Sequence, residues 1–272
     1  MVSQEQRRRQ LAREKFLRQQ QRRTASRRKA RVRNSVIASV LGVVVIGSVA
    51  LYTTGVLKND DKAKASSDVS PSPSAPSKAP DPCAKPAAGA VKKLSWKKEP
   101  AMAVDTSAKY TMKLATTCGD IDVAMKTAAA PHTVNSFAFL AGRGYFDHTK
   151  CHRLTTNGIY VLQCGDPTGS GSGGPGYTIP DENLKDPSLK GNVYPAGTVA
   201  MANAGQKHTG GSQFFLVYQD SQLPPSYTPF GTVSESGMKV LKKIAAAGES
   251  TGRGDGAPNA TVVVNRATVG KS

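Results

Sequence analysis

The chain has 272 residues and a net charge of +18, from 37 Lys and Arg against 19 Asp and Glu. That length holds one ordinary domain of roughly 150 residues plus appendages. Thirteen Lys/Arg against two Glu lie in the first 34 residues, so +11 sits in a tail and +7 is spread over all the rest, which excludes a global nucleic-acid-binding surface.

The tail, residues 1–34, is rich in helix formers, and Leu11, Phe16 and Leu17 give it only a thin apolar stripe. It reads as a solvated basic segment able to contact anionic lipid headgroups, and it lacks the aromatic platform that RNA binding would need. The next stretch starts at Val36, ends at Leu57 and carries no charge over 22 residues. As a helix it would span about 33 Å, enough for a hydrocarbon core of ~30 Å. Arg27, Arg28, Lys29, Arg31 and Arg33 precede it, so the positive-inside rule places the N-terminus in the cytoplasm and the C-terminal domain outside the cell. A cleaved signal peptide ending near Ala50 is the rival, but a 34-residue basic region is long for one. Residues 58–100, dense in Pro, Ser, Ala and Lys, read as an extended linker.

From residue 105 to 270 the pattern turns mostly β. Runs 110–116 and 121–125 alternate as strands around a turn at 117–120. Pro131 opens a helix whose Val134, Phe137, Ala138 and Ala141 share one face. Runs 151–156 and 159–163 flank Asn157-Gly158, a strong hairpin signal. A glycine-rich loop follows at 168–182, then strands at 197–203, 212–218 and 230–233, a helix at 238–247 and a last strand at 261–264. The predicted fold is mainly β: a closed eight-stranded antiparallel barrel capped by two helices, preceded by a single transmembrane helix. The central hairpin carries one cation, Arg153, one amide, Gln163, and apolar Tyr160 and Val161. Such a set suits a neutral, partly apolar ligand and suits hydrolysis poorly.

Three blocks in this region resemble the cyclophilin family. His152-Arg153 followed by Gln163-Cys164-Gly165-Asp166 is similar to its first signature. The run MANAGQKHTGGSQFFL beginning at Met201 resembles its second, and LPPSYTPFGTV beginning at Leu223 its third. The resemblance covers residues 110–269 and implies a peptidyl-prolyl cis-trans isomerase that needs no cofactor; separately, the four histidines show no ligand spacing with the cysteines, so no metal is expected. The resemblance assigns Arg153 as the donor to the prolyl nitrogen and Gln163 as the group that orders the substrate backbone. Asn203 would offer main-chain hydrogen bonds, with Ala202 and Gln213 beside it. Phe215 would be the floor of a proline slot walled by Tyr160, Val161, Leu223 and Tyr227. Gln222 would stand at the rim, where the family carries Trp or another large residue. The chain also departs from the family in having Tyr160 for Phe, Val161 for Met and Tyr227 for His. Two residues are inserted between Arg153 and Gln163, and one between Gly205 and Ser212.

Other readings fall away. His152, Asp166 and Ser212 could be drawn as a hydrolase triad, but no nucleophile elbow surrounds Ser212, and His152 reads as structural. The glycine-rich loop lacks the Lys-Ser/Thr ending of a phosphate loop. Arg253-Gly254-Asp255 matches an adhesion tripeptide at the level of chance. The four cysteines, on the outer side of a membrane, point to disulfides in one of three connectivities. A strict two-residue turn at Asn157-Gly158 would set Cys151 opposite Cys164, yet would put Arg153 on the face away from Gln163. A bulge or longer loop would remove that conflict. The expected protein is a membrane-anchored isomerase acting on X-Pro segments of exported polypeptides. The alternative is a proline-peptide binding or chaperone module with little turnover.

Overall fold

The computed structural model describes residues 80–272. The basic tail, the span from Val36 to Leu57 and the first part of the linker lie outside the described residues. Among the described residues no helix is long and apolar enough to cross a membrane.

Twelve strands, two α-helices and a short 3-10 helix (Lys190–Asn192) build the described domain. Strands β1 (Tyr110–Thr116) and β2 (Gly119–Met125) form a hairpin in perfect antiparallel register, closed by Gly119 at φ 131°. Helix α1 (Pro131–Gly142) starts on Pro131, and Ala130 offers no side-chain cap. Glu182 substitutes for it from a distant loop, accepting the N–H groups of His132 and Thr133 at 3.0 and 2.9 Å. Then come β3 (Thr149–Lys150), β4 (Arg153–Thr155), β5 (Val161–Cys164), β6 (Val193–Tyr194), β7 (Thr198–Met201), β8 (Phe214–Val217), β9 (Ser221–Gln222) and β10 (Pro229–Val233). Helix α2 (Glu235–Ala246) begins three residues before the apolar pattern does, because the Ser234 side chain accepts the Gly237 N–H at 3.1 Å. Short β11 (Asp255–Gly256) and long β12 (Val263–Lys271) complete the chain.

Ten of these strands form one antiparallel sheet in the order β11-β4-β5-β8-β7-β10-β2-β1-β12-β3. The expected closed eight-stranded barrel is corrected: the sheet curls, but its end strands β11 and β3 do not pair. The reason lies between β3 and β4. Only Cys151 and His152 separate them, and this link bonds toward both sides of the opening, Cys151 N–H to Val262 O just before β12 (3.0 Å) and His152 N–H to Gln163 O on β5 (3.1 Å). One crossing segment of chain thus stands where a closing ladder would.

The same link resolves the hairpin conflict. Asn157-Gly158 does not make a two-residue turn, since the loop runs from residue 156 to 160 and Thr156 N–H bonds Gly254 O at 2.9 Å. Arg153 pairs with Gln163, while Cys151 is disulfide-bonded to Cys164 with Cα atoms 4.0 Å apart. Two residues, His152 and Arg153, therefore face the single residue Gln163, which is a bulge. That extra residue restores Arg153 to the face of Gln163 and keeps the disulfide.

Period-2 alternation splits the sheet's side chains between two faces. Leu162, Phe214 and Leu216 join Phe137, Phe146 and Phe230 in the interior, where Phe137 lies 5.3, 5.5 and 4.6 Å from Phe146, Phe214 and Phe230. Val161, Ala200, Phe215 and Val217 point to the opposite face and form a second apolar cluster with Tyr194. That second face carries the site.

The expected linker, residues 58–100, is corrected over its described part, residues 80–100. They are extended, as a Pro- and Lys-rich linker should be, but they are bound to the domain. Cys83 is bridged to Cys118, and Ala84 N–H bonds Thr117 O at 2.9 Å. The Trp96 ring meets Phe139 edge-on at 5.0 Å and lies 6.0 Å from Tyr145. Asn135 accepts the Ala103 N–H at 2.8 Å and donates to the carbonyls of Pro100 and Ala101. The folded unit therefore reaches back past Cys83.

Candidate active site

The second face of β4, β5, β7 and β8 floors a cavity of about 560 Å3. Phe215 and Val161, both nearly fully buried, form its base, with Ala202, Leu223 and Tyr227 around them. The Tyr227 ring stands edge-on to Phe215 at 5.4 Å. It is held in place through its backbone: the Tyr194 hydroxyl donates to Tyr227 O at 2.8 Å and accepts the Tyr227 N–H at 3.2 Å. The base is thus apolar, rigid and sized for a small ring.

One wall is polar. Arg153 donates through Nη1 to Gln163 Oε1 at 3.2 Å. Gln163 Nε2 donates to Gln213 Oε1 at 2.9 Å, and Gln213 Nε2 to Gly173 O at 2.9 Å. Each amide uses its oxygen toward Arg153 and its nitrogen away, so the chain has one consistent direction. The other edge of the guanidinium is occupied. Nε and Nη2 each donate to a carboxylate oxygen of Asp255 at 2.8 Å. This bond is the main reason that Arg153 is raised above its ordinary pKa and Asp255 lowered below its own. The pair leaves the wall nearly neutral, suited to an uncharged ligand.

Asn203 spends its side chain on the loop, donating to Ser226 O at 2.7 Å and accepting the Gly205 N–H at 3.0 Å. Ala202 N–H bonds Gln213 O at 2.9 Å, which ties this edge to the polar wall.

The structure brings together Arg153, Val161, Gln163, Ala202, Asn203, Phe215, Leu223 and Tyr227 around one cavity. Gln213 touches it through Gln163 and lines a neighbouring cavity. Two expected residues lie elsewhere. Tyr160 packs on Tyr218 at 5.9 Å and gives its N–H to Ser221 Oγ, and Ile159 lines the cavity in its place. The five-residue loop has shifted the phase by one. Gln222 is exposed on β9, paired with Val193 in a separate two-stranded sheet, and does not line the cavity. Asp255 was missed by the sequence reading, because nothing local marks a partner 102 residues from Arg153.

The triad geometry is absent. Ser212 Oγ donates to Gly165 O at 2.7 Å and meets Tyr145 Oη at 3.0 Å, not His152. Asp166 gathers the glycine-rich loop, accepting from Thr168 N–H, Gly171 N–H and Gly173 N–H at 2.7, 2.7 and 3.0 Å. Burial pushes its carboxyl up, but these bonds outweigh it and hold the pKa below the usual range. His152 has both ring nitrogens buried without a partner, and burial lowers its pKa. Among the described residues no cluster of His, Cys, Asp and Glu could hold a metal ion.

Residues 111–269 match the family model described as cyclophilin type peptidyl-prolyl cis-trans isomerase. A protein of Mycobacterium leprae named "Probable peptidyl-prolyl cis-trans isomerase B" is 51% identical over 165 residues, 58% of this chain and 56% of that protein. The chain thus spans little more than half the length of that relative. Peptidyl-prolyl cis-trans isomerase B of Bacillus subtilis is 40% identical over 126 residues, 46% of this chain and 82% of that protein. A crystal structure of a Cryptosporidium parvum cyclophilin type isomerase, determined in the presence of the dipeptide Ala-Pro, is similar with a TM-score of 0.50 and 27% identity, covering 60% of this chain and 99% of that one.

Proposed function

The chain belongs to the cyclophilin-type peptidyl-prolyl cis-trans isomerases, and from that premise we propose that it accelerates rotation about X-Pro bonds in polypeptides folding at the outer face of a membrane. The uncatalysed rotation breaks amide resonance across a barrier of about 18–20 kcal/mol and takes tens of seconds or more. No bond is cut and no proton is moved. A proline ring seated on Phe215 fixes one side of the bond, so the twist falls on the other. As conjugation is lost the prolyl nitrogen becomes a better acceptor, and a guanidinium beside it favours the twisted state over the planar one. The observation that carries this reading is the Arg153 Nη1 group, held against Gln163 at the edge of the Phe215 floor.

The outer-face location rests on two features. The uncharged stretch from Val36 to Leu57 behind an arginine-rich tail suits an anchor with its C-terminal side outside. Both disulfides, Cys83–Cys118 and Cys151–Cys164, with no free cysteine among the described residues, suit an oxidising compartment. The basic tail would lie along anionic lipid on the inner side.

A binding or chaperone module with little turnover is the second reading, favoured by the Asp255 carboxylate that occupies one edge of Arg153. A protease-coupled assay on an Ala-Pro peptide separates the two. Catalysed turnover that depends on Arg153 supports the enzyme. Saturable binding without acceleration would leave the module. Protease accessibility of the C-terminal domain in intact cells tests the location, and protection would refute it.

A further inference from the structure

The proline cavity does not stand alone. A second cavity of about 1110 Å3 shares Gln163, Gly171, Ala202 and Asn203 with it, so the two form one continuous groove. Most of the second cavity's lining is uncharged: the glycine-rich loop, Ala204, Thr209 and Gln213. Its charges come from one place, the strap that precedes the matched family region, as Lys97, Lys98 and Glu99. Glu99 already bonds His132 Nδ1 at 3.0 Å. Neither lysine has a carboxylate partner among the described residues, and both side chains are exposed.

The strap is fixed immediately before and after these lysines. Trp96 N–H bonds Pro175 O at 2.8 Å, and its ring is held by Phe139 and Tyr145. Gly176 takes φ +89° beneath it, and a Cβ there would lie 2.2 Å from Ser95 Oγ and 2.6 Å from Trp96 O, so the loop accepts the strap only with glycine at this point. Beyond the lysines, Asn135 grips Pro100, Ala101 and Ala103. Two unpaired cations are thereby held at the lip of a cavity that any polypeptide leaving the proline slot on that side must cross.

We propose that Lys97 and Lys98 give the groove a preference for substrates with an acidic side chain, Asp or Glu, within a few residues of the isomerised proline. This rests on the isomerase reading and adds to it a substrate class. Attraction of a carboxylate to two solvent-exposed ammonium groups is worth about three- to tenfold in apparent affinity at low salt, and it is screened as the Debye length shortens.

The test scans one Glu through the four positions on each side of an Ala-Pro dipeptide in an otherwise neutral peptide. NMR exchange gives the turnover of each peptide with the full-length chain, and titration gives its affinity. One side of the proline should show a three- to tenfold preference for Glu over Gln at 20 mM salt, largely gone at 500 mM. In the Lys97→Gln/Lys98→Gln variant the Glu-to-Gln ratio should fall to about one. A ratio near one in the unaltered chain, or a preference that persists in the variant, overturns the proposal. If no peptide turns over, the isomerase reading fails, and the affinity ratios alone decide whether the lysines select acidic segments.

Discussion

Arg153 and Asp255, 102 residues apart in the chain, meet diagonally across the β4–β11 ladder, where Asp255 pairs with Thr155, through two parallel 2.8 Å bonds. The pairing fixes the plane of the guanidinium and leaves Nη1 as the group bonded to Gln163. In the proposed reaction Asp255 would act through Arg153, as a positioning residue. Arg153→Ala should cut kcat/KM on an Ala-Pro peptide by roughly a hundredfold, the scale for losing one donor aimed at the transition state. Asp255→Asn should lower kcat by about three- to tenfold with little change in KM, since the side chain must then be ordered at the moment of reaction. The Arg153 Nε–H resonance should also broaden or shift in that variant. Wild-type kcat for Asp255→Asn would show that the pair is only a surface contact.

Much of this site was legible in the sequence, for reasons that are local. Three contiguous blocks resembling the cyclophilin family carried Arg153, Gln163, Asn203 and Phe215, and the bulge or longer loop considered for the hairpin is what sets Arg153 beside Gln163. What was not legible is non-local. The strand β11 is two residues long and carries no strand signature, so Asp255 could not be paired with anything. Closure of the sheet could not be judged, because it turns on whether the two-residue end strands β3 and β11 pair with each other. Tyr160 and Ile159 exchanged roles because loop length, unlike strand period, is not encoded by a pattern. The strap read as linker because Pro and Lys dominate its composition, while Cys83, Leu94 and Trp96, too few for a pattern, attach it to the core.

The Cys151–Cys164 bridge encloses the hairpin that carries Arg153 and Gln163 and ends beside both of them. Closing a loop of this size in the unfolded chain contributes on the order of 3 kcal/mol. Cys151→Ser/Cys164→Ser should therefore lower the unfolding free energy by about 2–3 kcal/mol, read from the denaturant midpoint, and should reduce activity through the bulge at His152. The matching variant at Cys83 and Cys118 should free the start of the strap, which Trp96 and Asn135 still hold further along, while largely sparing turnover of a neutral peptide. Equal losses of turnover in both variants would contradict this division.

The pH dependence separates rate from stability. Arg153 is raised and stays charged, and half-buried His152 is lowered and stays neutral at pH 7, so the isomerisation rate should be flat from about pH 6.5 to 9. Stability should not be flat on the acid side. The unfolded chain protonates His152 at about 6.5, whereas the folded chain binds that proton only at a lower pH, so stability falls as pH drops below about 6.5. Asp166 and Asp255 add a second loss further down. Their folded pKa values are depressed, so the stability they contribute is present above about pH 4 and disappears as pH falls through the folded values. His152→Leu should remove the first loss and leave the second, as followed by thermal unfolding between pH 3 and 8. A bell-shaped rate profile that His152→Leu abolishes would instead make the imidazole part of the chemistry.

The attachment of the strap makes the last prediction. Trp96 is its aromatic contact with the domain, resting edge-on against Phe139 and near Tyr145, and it is only partly buried. Truncating a fully buried Trp costs about 3–5 kcal/mol, so Trp96→Ala should cost less, roughly 2 kcal/mol. The loss should be local. Cys83–Cys118 still ties down the start of the strap, and Asn135 still holds residues 100–103, so residues 92–98 should come free between two anchors. Limited proteolysis reads this directly, because Lys92, Lys93, Lys97 and Lys98 are all trypsin sites in that stretch. The unaltered chain should resist cleavage there, and Trp96→Ala should be cut rapidly while β1 to β12 remain protected. If the unaltered chain is cut at these lysines as fast as the variant, residues 92–98 do not hold their place on the domain in solution. The groove would then lose the two cations that the strap holds at its lip.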